Sequence, residues 1–170
     1  MHYSELYDFD ALVDYWLISE IFFNEELNKK STYMYKEVDE LMKMGPIWDM
    51  DWAASGEGST SATNQWQTKY FNAGAQGQQW YKFLIQDPYY NALAYVRYHE
   101  VRPMFEEIIN DGGTIDWYKE YLAESGADNS KLWPRGTFAS ESEDFHQWIK
   151  KHVAWMDEQF ASTEKLNESL

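Results

Sequence analysis

Apolar and polar positions divide the chain into helical ends with a short β element between them. Val13, Trp16, Leu17, Glu20 and Ile21 recur at the three-and-four spacing of one helix face, and Asp8 or Asp10 can cap that helix. The polar run NEELNKK, residues 24–30, ends it. STYMYK alternates, with Thr32 and Met34 on one side and Tyr33 and Tyr35 on the other; EVDE supplies a turn and LMKM a returning strand. The predicted hairpin runs into Gly45-Pro46 and an acidic stretch. SGEGSTSAT, residues 55–63, reads as a mobile loop.

Helices are predicted for most of the remainder. QQWYKFLIQ is one, and Asp87-Pro88 supplies a cap and a first-turn proline for a long helix that Pro103 should kink or break. Asp111-Gly112-Gly113 stops it, and a shorter helix follows over about 115–124. GADNSKLWPRGTFA is expected to be an irregular connector, and Ser140 with Glu143 to form a capping box for the last helix. Phe145, Trp148, Ile149, His152, Trp155, Met156 and Phe160 make one stripe on that helix, and the polar tail beyond is expected to fray. The expected fold class is mainly α with a small β-hairpin, as a single domain over residues 1–170.

Composition narrows the partners. With 14 basic and 29 acidic residues the net charge is −15, which repels nucleic acid and anionic membranes and leaves cations, basic peptides and neutral sugars. Nine Trp and thirteen Tyr among 170 residues supply ample core. The absence of cysteine excludes disulfides and thiolate metal sites. There is no apolar run of about 18 residues to span a membrane, and MHYSELYDFD has neither the basic nor the apolar region of a signal peptide.

The candidate chemistry lies in MGPIWDMDWA, residues 44–53. Asp49 and Asp51 are two apart, so on an extended segment they share a face, with Trp48, Met50 and Trp52 lining an opposite, buried face. Adjacent carboxylates repel unless a cation or shared proton intervenes, and Mg²⁺ takes such oxygen ligands. Capping of nearby backbone, or pairing with arginine, is the alternative. His2, His99, His146 and His152 show no convergent spacing and are expected at the surface or the edge of the core. No phosphate-binding glycine loop, G-x-S-x-G or H-E-x-x-H is present.

The segment YWLISEIFFNEELNKKSTYMYKEVDELMKMGPIWDMDWA resembles the central motif region of the spore-coat protein H (CotH) kinase family. That pattern is a helix ending in E-x-x-x-N (Glu20, Asn24), a short loop, an aromatic hairpin, then G-P-x-W-D-F-D (Gly45, Pro46, Trp48, Asp49, Asp51), with Met50 in place of Phe. WYKFLIQDPYYNALAYVRYHEVR and FHQWIKKHVAWMDEQF are similar to the family's C-terminal helices, so the resemblance spans nearly the whole chain. It implies a divergent protein-kinase-like C-lobe and Mg-ATP-dependent phosphoryl transfer to protein Ser or Thr. It also implies a spore-associated or extracellular bacterial setting. Asp49 would match the acid that holds Mg²⁺ on ATP, with Asp51 supporting it. Glu26 falls at the catalytic-loop Asp and Ser31 at the metal-binding Asn. Three positions depart from the pattern: Glu26 is a methylene longer than Asp, Ser31 is a weaker ligand than Asn, and His152 stands where Arg is common.

The family's β-rich lobe, with its ATP-holding basic residue, has no counterpart before Tyr3. The expected partners are therefore a protein substrate or that missing lobe, and turnover by this chain alone is expected to be poor. The rival expectations are a non-catalytic binding module for carbohydrate or a surface protein, and a pseudokinase-like scaffold.

Overall fold

A computed structural model describes residues 2–27, 30–54, 62–70 and 80–170, and its architecture is mainly α with one small antiparallel sheet. Most of the predicted 55–63 loop and the start of QQWYKFLIQ lie outside the described residues. α1 (Phe9–Ile21) begins where Asp8 accepts the Ala11 N–H at 3.0 Å. Its buried residues, from Leu12 to Ile21, include Tyr15, Trp16, Ser19 and Glu20, more than one stripe's worth. That pattern marks a central helix covered on several sides. The helix touches the sheet and the two longest helices.

β1 (Met34–Tyr35) and β2 (Lys43–Met44) pair antiparallel, Met34 opposite Met44 and Tyr35 opposite Lys43. Gly45 extends the ladder by donating to the Tyr33 carbonyl at 2.7 Å. A Cβ at Gly45 would lie 3.0 Å from both Cβ and O of Tyr33, a tight approach that glycine makes without displacing its neighbour. Pro46 has no N–H with which to continue the pairing.

α2 (Gln67–Tyr70) and α3 (Trp80–Leu84) are short. α4 (Pro88–Ile109) starts where Asp87 accepts the Tyr89 N–H, with Pro88 in the first turn. It runs through Pro103 without a break, so of the predicted kink or break the break does not occur. Contacts just before and after the proline hold the helix to its neighbour. Tyr98 stacks on Phe160 at 4.0 Å, His99 Nε2 meets the Phe160 carbonyl, and Arg102 makes a two-pronged pair with Asp157 at 2.7 and 2.8 Å. Ile109 is buried one and a half turns beyond.

α5 (Thr114–Tyr121) and α6 (Ala123–Leu132) follow, joined at Leu122. The stretch expected to be irregular is therefore helical to Leu132. Gly126 permits this: the Phe138 ring packs where its Cβ would stand, and Ser130 bonds the Gly126 carbonyl at 2.9 Å. Neither α5 nor α6 buries a residue.

α7 (Phe138–Gln159) is capped by Thr137, which accepts the Ser140 N–H. This replaces the predicted Ser140–Glu143 box; Glu143 instead pairs with Lys119 at 2.6 Å and accepts from Gln147. The stripe buries Trp148, Ile149, Met156 and Phe160, with Phe145 and Trp155 half-buried against the core. His146 and His152 are buried too, correcting the expectation of surface or core-edge rings. Both find backbone carbonyls: His146 Nε2 meets Ile109 O at 2.6 Å, and His152 Nε2 meets Glu20 O at 2.8 Å.

The polar tail forms α8 (Thr163–Ser169) rather than fraying. Ser162 caps it, Leu166 is fully buried, and long-range bonds hold its end. Ser169 accepts Trp66 Nε1–H at 3.0 Å, and Asn167 accepts from Asn91 at 2.7 Å.

Candidate functional site

The residues nominated by sequence occupy two loops that leave α1 and β2 side by side. At the α1 exit, Phe23 takes a left-handed conformation (φ 48°) and Asn24 N–H donates back to Ser19 O at 2.7 Å. The buried Asn24 side chain accepts the Glu26 N–H at 3.0 Å, an Asx turn that shapes the next residues. Thr32 Oγ1 donates to the Glu26 carbonyl at 3.1 Å, tying the start of the loop to its end.

The second loop is fixed to the first in two places. Ser31 Oγ donates to Asp49 Oδ2 at 3.0 Å, and Ala54 N–H donates to Phe22 O at 2.6 Å. Ser31, Asp49 and Ala54 are also left-handed, with φ of 46°, 61° and 39°. Non-glycine residues in that region carry strain, which gathers at ligand-binding loops more than elsewhere.

Asp49's conformation breaks the alternation expected of an extended segment. Trp48 and Trp52 are 58% and 40% exposed and Met50 is half-buried, so these three do not form the predicted buried face. Met50 and Ala53 instead close a turn, Ala53 N–H to Met50 O at 3.0 Å, and Lys30 Nζ stands 6.0 Å from the centre of the Trp52 ring.

Of the four nominated residues, Ser31 and Asp49 are in direct contact. Asp51 is exposed two residues further on, in the turn. Glu26 shares the loop through its backbone, but its side chain is buried. Ser31, Asp49 and Asp51 offer oxygen ligands only, a donor set suited to a hard dication.

A buried polar layer supports the α1 exit. Glu20 accepts from Gln67 N–H at 2.7 Å, Thr68 N–H at 3.0 Å, and the Thr68 hydroxyl. Burial pushes its carboxyl up to about 7, against the pull of these donors. His152 spans from Glu20 O to Thr63 O at 3.1 Å, and burial lowers its pKa.

Sequence reasoning missed a second cluster. Asp111, Asp116 and His146 place one donor atom each within 4.8 Å of one another. Their separations of five and thirty residues form no motif, and the only local signal is the turn at Gly112-Gly113. No protein-family model matches the chain, and neither curated proteins nor solved structures gave a match to it.

Proposed function

We propose that the chain is the metal-binding lobe of a CotH-like protein kinase, in which Asp49 holds Mg²⁺ on ATP for phosphoryl transfer to a protein Ser or Thr. The observation that carries this is the Ser31–Asp49 hydrogen bond, which joins the two segments that the sequence resemblance makes into metal ligands. In the transfer, the substrate hydroxyl oxygen bonds to the γ-phosphorus, the bond to the β-bridging oxygen breaks, and ADP leaves. The hydroxyl proton goes to a base. Glu26 has the catalytic-loop position, but its burial favours a part in orienting that loop over accepting the proton itself. Asp51, exposed in the adjoining turn, would be the second carboxylate to hold the metal.

The net charge of −15 opposes ATP, so a cationic element outside this site has to cradle the phosphates. The exposed Tyr33, Tyr35, Trp48 and Trp52 give such an element, or a protein substrate, an apolar surface to cover. The same exposed rings favour the second reading, a non-catalytic binding module.

Calorimetric titration with Mg²⁺ and Mg-ATP, paired with radiolabelled phosphate transfer, tests the proposal. Expected are weak Mg²⁺ binding that Asp49→Asn removes, and little transfer by the chain alone. Mg²⁺ binding that survives Asp49→Asn would overturn the site. Retention on a polysaccharide, unchanged by Mg²⁺ or by Asp49→Asn, would favour the binding module.

A further inference from the structure

The loop between α4 and α5 meets α7 at a buried histidine whose second ring nitrogen faces a carboxylate. His146 is 1% exposed. Its Nε2 lies 2.6 Å from the Ile109 carbonyl, which can only accept, so Nε2 carries the ring hydrogen. In the neutral ring Nδ1 is then a lone pair, and it faces Asp116 Oδ1 at 3.2 Å. That carboxylate is held in place by the Gly112 N–H on Oδ2 and by Lys119 Nζ on Oδ1, at 2.7 and 3.0 Å. Nδ1 and Asp116 Oδ1 are thus close enough to share one cation, a second ring proton or a metal ion, beside the Lys119 ammonium that already lies 3.0 Å from Oδ1.

The surroundings are built to hold that arrangement. Gly112 N–H donates to Asp116 Oδ2 at 2.7 Å, fixing the carboxylate. Gly112 is left-handed at φ 78°, and a Cβ at Gly113 would lie 2.4 Å from Glu107 O, so the turn presenting Asp111 depends on both glycines. Asp111 is on the outer side, with its side chain 88% exposed. A metal-ligating histidine commonly donates its other ring N–H to a backbone carbonyl, as His146 Nε2 does to Ile109.

We propose that His146 Nδ1, Asp116 and Asp111 bind a divalent transition metal of the Zn²⁺ class, with water completing the coordination. One imidazole and two carboxylates suit Zn²⁺ better than Mg²⁺, which prefers oxygen alone. The site is thus chemically distinct from the all-oxygen set around Asp49, and it stands whether or not the kinase proposal does. Lys150 pairs with Asp111 at the surface, and Lys119 bridges Asp116 and Glu143. Metal entry opens the solvent-facing Asp111–Lys150 pair and leaves Lys119 its bond to Glu143. A metal here fastens the start of the α5–α6 pair, which buries no residue of its own, to the long α7 helix.

The test uses the full chain, stripped with chelator and titrated with Zn²⁺, with Mg²⁺ as control. Long-range ¹H–¹⁵N spectra of the histidine side chains and the melting temperature are the readouts. Zn²⁺ is expected to move the His146 Nδ1 resonance to the metal-bound range, leave His2, His99 and His152 in place, and raise the melting temperature; Mg²⁺ should do neither. Asp111→Asn changes an exposed side chain, so it should fold normally and lose at least about tenfold in Zn²⁺ affinity. Three results would each overturn the proposal: a proton kept on Nδ1 as an imidazolium paired with Asp116 in the presence of Zn²⁺, Zn²⁺ shifts at other histidines only, or unchanged affinity in Asp111→Asn.

Discussion

Glu20 and Asp49 are both acids beside the C-terminal end of α1, held in opposite ways. Glu20 is fully buried, and three donors from residues 67 and 68 occupy its oxygens. Asp49 is exposed, has a strained backbone, and has Ser31 as a donor on one oxygen. A carboxyl group whose oxygens are engaged by its own chain holds the fold together. One with lone pairs facing solvent, set on two cross-tied loops, remains available to a ligand. The contrast separates scaffold from site at one helix end, although the two acids lie 29 residues apart in sequence.

The scaffold side predicts the largest effects. Trp148 packs edge-on to Phe23 at 6.1 Å and stacks on His152 at 4.8 Å, next to the Glu20 layer. Trp148→Ala should cost about 3–5 kcal/mol in denaturant unfolding. An unchanged midpoint would mean that this layer does not hold the fold. Glu20→Gln comes next, at about 1–3 kcal/mol, because its amide turns N–H groups toward the donors that Glu20 satisfies.

The same substitution carries a pH signature. The native Glu20 carboxyl keeps its proton to about 7, whereas an unfolded one, with the ordinary value of 4.5, releases it earlier. Between those values the native state binds more protons, so the Glu20 contribution falls as pH rises and is flat above about 7. The span is up to roughly 3 kcal/mol. His152 acts the other way: its lowered pKa means stability is lost as pH falls below its ordinary 6.5. The difference between wild type and Glu20→Gln isolates the Glu20 slope, and a flat difference from pH 4.5 to 7 would contradict its assignment.

Smaller effects are expected at the site. Asp49→Asn and Ser31→Ala should each change stability by less than about 0.5 kcal/mol, since both side chains lie outside the core. Asp49→Gly should be neutral or stabilising by up to about 1 kcal/mol, as glycine relieves the left-handed strain. A loss of several kcal/mol in any of the three would move Asp49 to the scaffold side of the comparison.

What the sequence made legible follows the range of the forces involved. Asp8 capping α1, the hairpin at 34–44, Asp87-Pro88 and the apolar stripe of α7 rest on local spacing, and all are present. α6 was not legible because it depends on Phe138 filling the space beside Gly126. Nor was α8, whose end is held by a bond from Trp66, 103 residues earlier. Pro103 reads locally as a breaker, but the Tyr98, His99 and Arg102 contacts to the end of α7 outweigh it. At the site, one left-handed residue, Asp49, cancelled the alternation that placed Trp48, Met50 and Trp52 inside. Asp111, Asp116 and His146 converge only through the packing of α7 on the α4–α5 turn.

The most direct test of the division between scaffold and site is paramagnetic broadening of backbone amides by trace Mn²⁺, a stand-in for Mg²⁺, in wild type and Asp49→Asn. The prediction is selective loss of signals around Ser31, Asp49 and Asp51, with Glu20 and its partners at Gln67 and Thr68 less affected, and recovery of the Ser31 signals in Asp49→Asn. Broadening scattered over the acidic surface, or unchanged around Ser31 in Asp49→Asn, would contradict it.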